Sequence, residues 1–311
     1  MKESLFEREI YILTGPTAVG KTDLSIRLAE ELNAEIISAD SMQLYRYFDI
    51  GTAKPTPAER NQVPHYFIDH VDPDESFDVA RFVSQAEELI LQIWERGKNA
   101  LVVGGTMMYI LRLVHGVFPE GERSDDVRLE LQRQIEQNGS ERLHAQLYKV
   151  DPESHQRINP RDVKRIIRAW EIYILTGKSI TQLQKEYQEQ RPSLKVRGIA
   201  LLRDRDQLYN RINQRTKEMF DHGLPGEVRE ILARGYSADI QPFEALAYKE
   251  TLQYLRKSLS LQQAVHKARQ ETRNFAKRQL TWLRSFDFLT PLDITSLSPE
   301  QQMEEVLKRL K

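Results

Sequence analysis

The sequence predicts an α/β fold, a parallel sheet covered on both faces that carries an all-helical insertion domain. Three observations in the 311 residues predict it. Short β-rich runs alternate with helical stretches through the first 118 residues. Only helix patterns follow from about residue 120 to 190, and sheet character returns at Val196 to Leu202. Strands alternating with helices build a parallel sheet whose crossovers cover both faces. The expected division is therefore a core of residues 1–118 and 196–311, interrupted by a helical domain of residues 119–195.

Each element has a local cause. Glu9 to Thr14 is a short apolar run, followed by a glycine-bounded loop and by Asp23 to Leu32, where Leu24, Leu28 and Leu32 recur at helical spacing. Strand-like runs follow at Glu35 to Ser38, Tyr66 to Val71 and Ala100 to Val103, the last after a helical stretch from Val79 to Arg96. In the insertion, helices are expected over Val127 to Gln137, Glu141 to Tyr148, Arg161 to Thr176 and Ile180 to Gln190. Asn159 is placed to cap the third of these, with Pro160 at its first position and Gly177 past its end. Beyond Leu202, Asp204 and Gln207 have the spacing of a capping box. A long helix from Leu261 to Ser285, a short run Phe286 to Leu289 and a helix from Pro299 to Leu310 complete the core.

Composition excludes several classes of function. With 40% apolar and 29% charged residues, the chain has the balance of a globular protein. The longest apolar run, Ala100 to Leu111, ends at Arg112, well short of the roughly 18 residues a membrane span needs. No membrane association is expected, and the mixed charges of the first ten residues lack the apolar core of a signal peptide, so a cytoplasmic protein is expected. There is no cysteine, which excludes disulfides and thiolate chemistry, and the seven His lack metal-ligand spacing. The near-zero net charge hides an asymmetry. Residues 155–215 hold 14 Lys plus Arg against 6 Asp plus Glu, a net of +8, and residues 266–284 hold 6 against 1, a net of +5. Such zones are either solvated helix faces or the footprint of a polyanion.

The most specific short motif is Gly15-Pro16-Thr17-Ala18-Val19-Gly20-Lys21-Thr22, which fits G-x-x-x-x-G-K-[ST] between a predicted strand and a predicted helix. Its glycines let backbone N–H groups turn onto phosphate oxygens, Lys21 supplies a point charge, and Thr22 is placed to ligate Mg²⁺. The core is thus expected to be P-loop NTPase-like. An NTPase also brings an acid to Mg²⁺ from a second strand. The best candidate strand here ends in Gly104-Gly105-Thr106, with no acid.

Asp40 lies at the tip of the strand after the P-loop helix, where open α/β sheets place ligands. Two readings stay open for it: a cap for the segment beginning Ser41-Met42-Gln43, or a base that takes a proton from an acceptor. Arg215 shares a helical stripe with Leu208, Ile212 and Met219. Such an arginine either meets a buried carboxylate or points into an anion site, and the P-loop favours the second.

The P-loop together with Asp40-Ser41-Met42-Gln43-Leu44-Tyr45, Asp49-Ile50-Gly51-Thr52-Ala53-Lys54-Pro55 and Gly104-Gly105-Thr106 closely resembles the tRNA dimethylallyltransferase (tRNA isopentenyltransferase) family. The match continues through residues 161–169 and 275–284. The resemblance implies transfer of a dimethylallyl group from dimethylallyl diphosphate to N6 of the adenosine 3′-adjacent to the tRNA anticodon. It also implies site residues. Asp40 is the general base, Thr22 serves Mg²⁺ and diphosphate, and Lys21, Thr17 and Arg215 hold the leaving diphosphate within the cradle of residues 15–22. Contacts to tRNA are implied for Asp40, Ser41, Met42, Gln43, Thr106, Arg128, Lys164, Arg165, Ile166, Ile167 and Arg168. They are implied also for Glu244, Lys249, Lys277, Arg278, Gln279, Trp282 and Arg284. The insertion would grip the anticodon stem-loop, and a monomer is expected.

One segment departs from the family pattern Gln-Ala-Ile-Gly-Tyr-Lys, reading Glu244-Ala245-Leu246-Ala247-Tyr248-Lys249. Alanine for glycine removes an easy positive φ, and glutamate for glutamine leaves an acceptor without its donor. On the helix expected after Pro160, Arg161, Arg165 and Arg168 share one face, and Val163, Ile166, Ile167, Trp170 and Ile174 form a packing face. Phe275 and Trp282, seven residues apart, either stack on bases or belong to the core. The rival functions are a P-loop small-molecule or nucleotide kinase with Asp40 as base toward a hydroxyl, and an RNA-binding adaptor without catalysis.

Overall fold

The computed structural model describes residues 3–117 and 124–310. The chain forms two compact units, Met1–Val114 with Leu194–Lys311, and His115–Ser193. The sequence boundary expected at 118/119 lies outside the described residues.

The first unit opens with a 3₁₀ turn, Glu3–Phe6, followed by β1 (Glu9–Thr14), α1 (Lys21–Glu31), β2 (Ala34–Ala39), α2 (Pro57–Arg60), β3 (His65–Tyr66), α3 (Val79–Glu95), β4 (Asn99–Gly104) and α4 (Met107–His115). The second unit holds α5 (Asp125–Asn138), α6 (Ser140–Leu147), α7 (Pro152–Arg157), α8 (Val163–Thr176) and α9 (Ile180–Gln190). The first unit resumes with β5 (Lys195–Leu202), α10 (Arg205–Asp221), α11 (Leu224–Ala233), α12 (Tyr248–Leu255), α13 (Leu261–Leu283), β6 (Leu289–Asp293) and α14 (Pro299–Leu310).

The six strands form one parallel sheet in the order β3-β2-β4-β1-β5-β6. Alternate side chains of a strand face opposite ways. Leu13, Ile36, Leu101 and Ile199 pack with Leu28 of α1 and Val306 of α14, while their chain neighbours Ile12, Ile37, Val102 and Ala200 are buried as well. Both faces are therefore covered, as a parallel sheet requires. The fold is α/β and P-loop NTPase-like, with β1 at the centre of the sheet.

Several local expectations change. The run Tyr66 to Val71 pairs only at His65–Tyr66, with one isolated bridge between Tyr45 and Val71. Phe67 and Asp69 take positive φ, 60° and 52°, which no extended strand accommodates. α8 begins at Val163 rather than after Pro160. Its cap is Asp162, whose carboxylate accepts from Arg165 N at 3.2 Å, while Asn159 accepts from Arg161 N in the preceding turn. Gly177 ends that helix at φ 71°, as expected. The last strand starts at Leu289, because Phe286 is taken up in ring contacts with Trp282 and Phe288. Helices α4, α7, α11 and α12 carried no sequence expectation. Each has ten residues or fewer, too few turns for a clear periodic signal.

The helical unit has its own core of Leu131, Leu143, Leu147, Ile166 and Ala169. Within it, Glu171 is fully buried and accepts from Arg128 Nε at 2.8 Å, Arg128 Nη2 at 3.1 Å, Arg168 Nη1 at 2.5 Å and Ser124 N at 3.0 Å. Burial alone would raise its carboxyl pKa, but these donors overturn that and hold it below the usual range.

Candidate active site

Register at one edge of the sheet assembles the site. Thr14 of β1 pairs beside Gly104 of β4, and Gly104 beside Ala39 of β2. The segments that follow these three strands, residues 15–20, 40–43 and 105–106, are therefore neighbours. Ligands of open parallel sheets bind at this carboxyl edge, where the chain order reverses. Gly104 has no substitute here, since a Cβ would lie 2.2 Å from the carbonyl oxygen of Ala39.

The P-loop wraps the start of α1, with Gly20 at φ 115°, a conformation that side chains rarely adopt. Lys21 Nζ donates to the carbonyls of Gly15 and Pro16, both at 2.9 Å. Burial and the neighbouring Arg215 lower its pKa to about 8, partly offset by Asp40. Arg215 donates through Nη2 to the hydroxyl of Thr17, and Arg211, one turn earlier on α10, donates through Nε to Ala18 O at 2.8 Å. The cluster of cations has Asp40 as an acidic neighbour, as expected of a site built for a polyanion.

Asp40 makes the cap that one of its two sequence readings expects. Its Oδ1 accepts from Met42 N at 2.9 Å and Gln43 N at 3.3 Å, so it caps the turn that follows. Its Oδ2 has no hydrogen-bond partner among the described residues, and Asp40 lines the cavity. Thr106 braces this turn: its hydroxyl accepts from Ser41 N at 2.9 Å and donates to Ser41 Oγ at 3.2 Å. Gln43 Nε2 reaches the carbonyls of Thr52 and Ala53 at 3.3 Å each. The loop of residues 49–54 is pinned from beneath by Glu227, which accepts from Ile50 N at 2.7 Å, Asp49 N at 3.1 Å and Tyr248 Oη at 2.6 Å.

These segments line one cavity of about 1080 Å³, large enough for a drug-sized ligand. Lys21, Thr22, Asp40 and Arg215 stand in its polar part, and Met219, Leu246, Ala247 and Phe275 give it apolar wall. Thr22 has no hydrogen-bond partner for its hydroxyl among the described residues. No group of three or more His, Asp or Glu among those residues could cage a metal. Mg²⁺ usually keeps its waters and joins a few protein oxygens to substrate phosphates. Thr22, at the start of α1, offers such an ion a hydroxyl oxygen.

The cavity gathers much of the expected site: the P-loop residues Thr17, Ala18, Gly20, Lys21 and Thr22, with Asp40, Ser41, Met42, Gln43, Thr106, Arg215, Glu244, Arg278 and Gln279. Lys249, Lys277, Trp282 and Arg284 do not line it. Lys249 pairs with Glu244 at 2.6 Å, Lys277 and Arg284 are exposed, and Trp282 packs edge-on against Phe286. Phe275 lies on the cavity wall with the Arg278 guanidinium over its ring.

Five expected RNA contacts are corrected. Ile166 is fully buried and has no side-chain surface to offer RNA, and Ile167 is partly buried against the helical core. Arg128 and Arg168 are spent on buried Glu171. Gln279 is 3% exposed with both amide groups satisfied inside the protein. The packing face of α8 is also narrower than expected, since Val163 and Ile174 are exposed. Ala247 nevertheless keeps a positive φ of 69°, held by Glu250 on its N–H and by Thr251 on its carbonyl. Sequence reading missed Arg211, which has the i, i+4 spacing to Arg215 that would have found it, and the Glu227–Tyr248 brace, for which no local signal exists.

The IPP transferase family model matches residues 43–286. The chain is 44% identical over 284 residues, 90% of each chain, to the tRNA dimethylallyltransferase of Thermoanaerobacter sp. (strain X514). It is 42% identical, over 96% of each chain, to that of Thermotoga neapolitana. Among solved structures, the full-length tRNA isopentenylpyrophosphate transferase of Bacillus halodurans superposes with a TM-score of 0.71 at 38% identity, covering 97% of this chain and 96% of that one. A eukaryotic dimethylallyltransferase acting on tRNA gives 0.77 at 29% identity, covering 93% of this chain and 75% of that one. With a P-loop beside Asp40 and a match extending over most of its length, this chain belongs to the IPP transferase family, the tRNA dimethylallyltransferases.

Proposed function

We propose that this chain transfers the dimethylallyl group of dimethylallyl diphosphate to N6 of the adenosine 3′-adjacent to the anticodon of tRNA, releasing diphosphate. One observation carries the reading: the phosphate cradle and the unpartnered Oδ2 of Asp40 line the same cavity. A cradle that would hold nucleotide phosphates in an NTPase holds a leaving group here. The C–O bond to diphosphate breaks as the bond from N6 to carbon forms, and the N6 proton passes to Asp40. Adenine amine is a poor nucleophile, so a positioned base contributes roughly 10² to 10⁴ in rate. Lys21, Arg215 and the N–H groups of Gly20, Lys21 and Thr22 at the start of α1 receive the charge that builds on diphosphate. Thr22 would hold Mg²⁺, which when bound supplies further neutralisation of that charge. The apolar wall at Met219 and Phe275 suits the hydrocarbon of the donor.

The acceptor base leaves its stack to reach Asp40. Exposed Arg161, Lys164 and Arg165 on the helical unit supply charge for an RNA backbone, and we assign that unit to the anticodon stem-loop. No helix among the described residues is long and apolar enough to cross a membrane. With tRNA as substrate, we place the reaction in the cytoplasm.

The test mixes the protein with labelled dimethylallyl diphosphate and unmodified tRNA, and separately with γ-labelled ATP and candidate acceptors. Label in tRNA, at the adenosine beside the anticodon, is expected. Phosphoryl transfer from ATP without prenylation of tRNA would overturn the reading in favour of a kinase.

A further inference from the structure

Gln279 sits in the middle of the basic stretch of α13, between exposed Lys277 and Arg278 on one side and exposed Thr281 on the other, yet it is itself buried. Its Oε1 accepts from Thr17 N at 2.8 Å and its Nε2 donates to Gly105 O at 2.8 Å. The amide orientation follows from the partners, since a backbone N–H only donates and a carbonyl only accepts. The side chain therefore ties the P-loop to the turn after β4, bridging positions 262 and 174 residues away in sequence. Gly105 permits the approach: a Cβ there would lie 2.6 Å from Nε2.

The consequence reaches the site's charge. Thr17, held through its N–H by Gln279, accepts through its hydroxyl from Arg215. Gly105 leads into Thr106, which braces the turn carrying Asp40. One buried carboxamide thus joins the group that meets the leaving diphosphate to the group that accepts the proton. Building on the prenyl-transfer reading, we infer that Gln279 is a positioning residue for the reaction: it sets the P-loop, and through Thr17 the Arg215 guanidinium, relative to the Asp40 turn, and it touches neither tRNA nor donor. A carboxamide carries an acceptor and a donor on one carbon, and asparagine, the other residue with one, is a methylene short.

The experiment compares Gln279→Leu and Gln279→Glu with the parent chain. Leucine removes both hydrogen bonds at similar volume. Glutamate keeps the acceptor for Thr17 N but sets a second acceptor against Gly105 O, at nearly unchanged shape. Single-turnover transfer at saturating substrates should fall by about 10- to 100-fold in both variants, as expected when reacting groups are misplaced by a fraction of an ångström. The KM for tRNA should stay within about twofold of the parent, and inorganic diphosphate should bind several-fold more weakly to the leucine variant, measured by calorimetry. A contact to tRNA predicts the opposite split, a raised tRNA KM with kcat intact. A purely structural role predicts a lowered Tm with unchanged turnover below it. Either result would overturn the inference, as would parent-like turnover in the glutamate variant, which also serves if the leucine variant does not fold. If the parent chain itself transfers no prenyl group, the proposed reaction fails. The diphosphate affinities of parent and variants then still decide whether Gln279 sets the P-loop.

Discussion

Asp40 divides its carboxylate between two tasks, one oxygen capping the turn at Met42 and Gln43 and the other left to the cavity. The substitution Asp40→Asn keeps the capping oxygen and removes the base, because asparagine caps as well as aspartate. For this variant we expect single-turnover transfer to drop by about 10² or more while the melting temperature and binding of both substrates hold. Turnover within a few-fold of the parent would leave Asp40 as a cap alone. Lys21 makes the neighbouring argument for pH. Its amine, depressed to about 8 in the free chain by burial and Arg215, is charged below that value and neutral above it. A bound diphosphate favours the charged form and raises the pKa. Affinity for dimethylallyl diphosphate in the absence of tRNA should therefore be strongest below pH 8 and weaken as pH rises through it. Lys21→Arg, charged throughout the range, should flatten the profile between pH 7 and 9.5; titration by calorimetry checks this, and an equally steep profile in the variant would assign the effect to another group.

At the scale of elements, α8 shows how a helix shares its arginines between packing and solvent. Arg168 faces buried Glu171 together with Arg128, whereas Arg161, Lys164 and Arg165 stand exposed on and just before the helix. The two groups should respond to mutation in different ways. Neutralising Arg161, Lys164 and Arg165 together should leave stability nearly unchanged and reduce the slope of log affinity for tRNA against log salt by about 2 to 3, at roughly 0.7 to 0.9 for each of the three charges removed. Neutralising Arg168 alone should instead destabilise the helical unit by roughly 1–3 kcal/mol, because Glu171 keeps its burial and loses one of its donors. Filter binding over a salt series and thermal melts of the same proteins separate the two outcomes. An unchanged slope in the triple variant would show that this face does not meet the phosphate backbone.

At the scale of the whole molecule, the two units have separate hydrophobic cores, Leu13, Ile36 and Leu101 among others in the first and Leu131, Leu147 and Ile166 in the second. The chain leaves and re-enters the first unit at adjacent points, since Leu194 N donates to Val114 O at 2.9 Å. A short flexible linker in place of residues 116–193 should thus let the first unit fold and bind dimethylallyl diphosphate, with tRNA affinity largely lost. Circular dichroism and donor titration check this, and global unfolding would show that the helical unit is needed by the core. By itself the sequence determined what local chemistry dictates: the glycine-bounded P-loop, the alternation of strands with the longer helices, the helical interruption, and Asp40 at a strand tip. Those features rest on φ preference, capping and periodicity, which act over a few residues. The tertiary structure alone decided that Gln279 and Thr17 meet across 262 residues, that Glu171 takes Arg128 and Arg168 from solvent, and that β4 lies between β1 and β2. Periodicity marks a side chain as inward-facing. Which partner it finds there depends on strand order and register, and these follow from packing of the whole sheet.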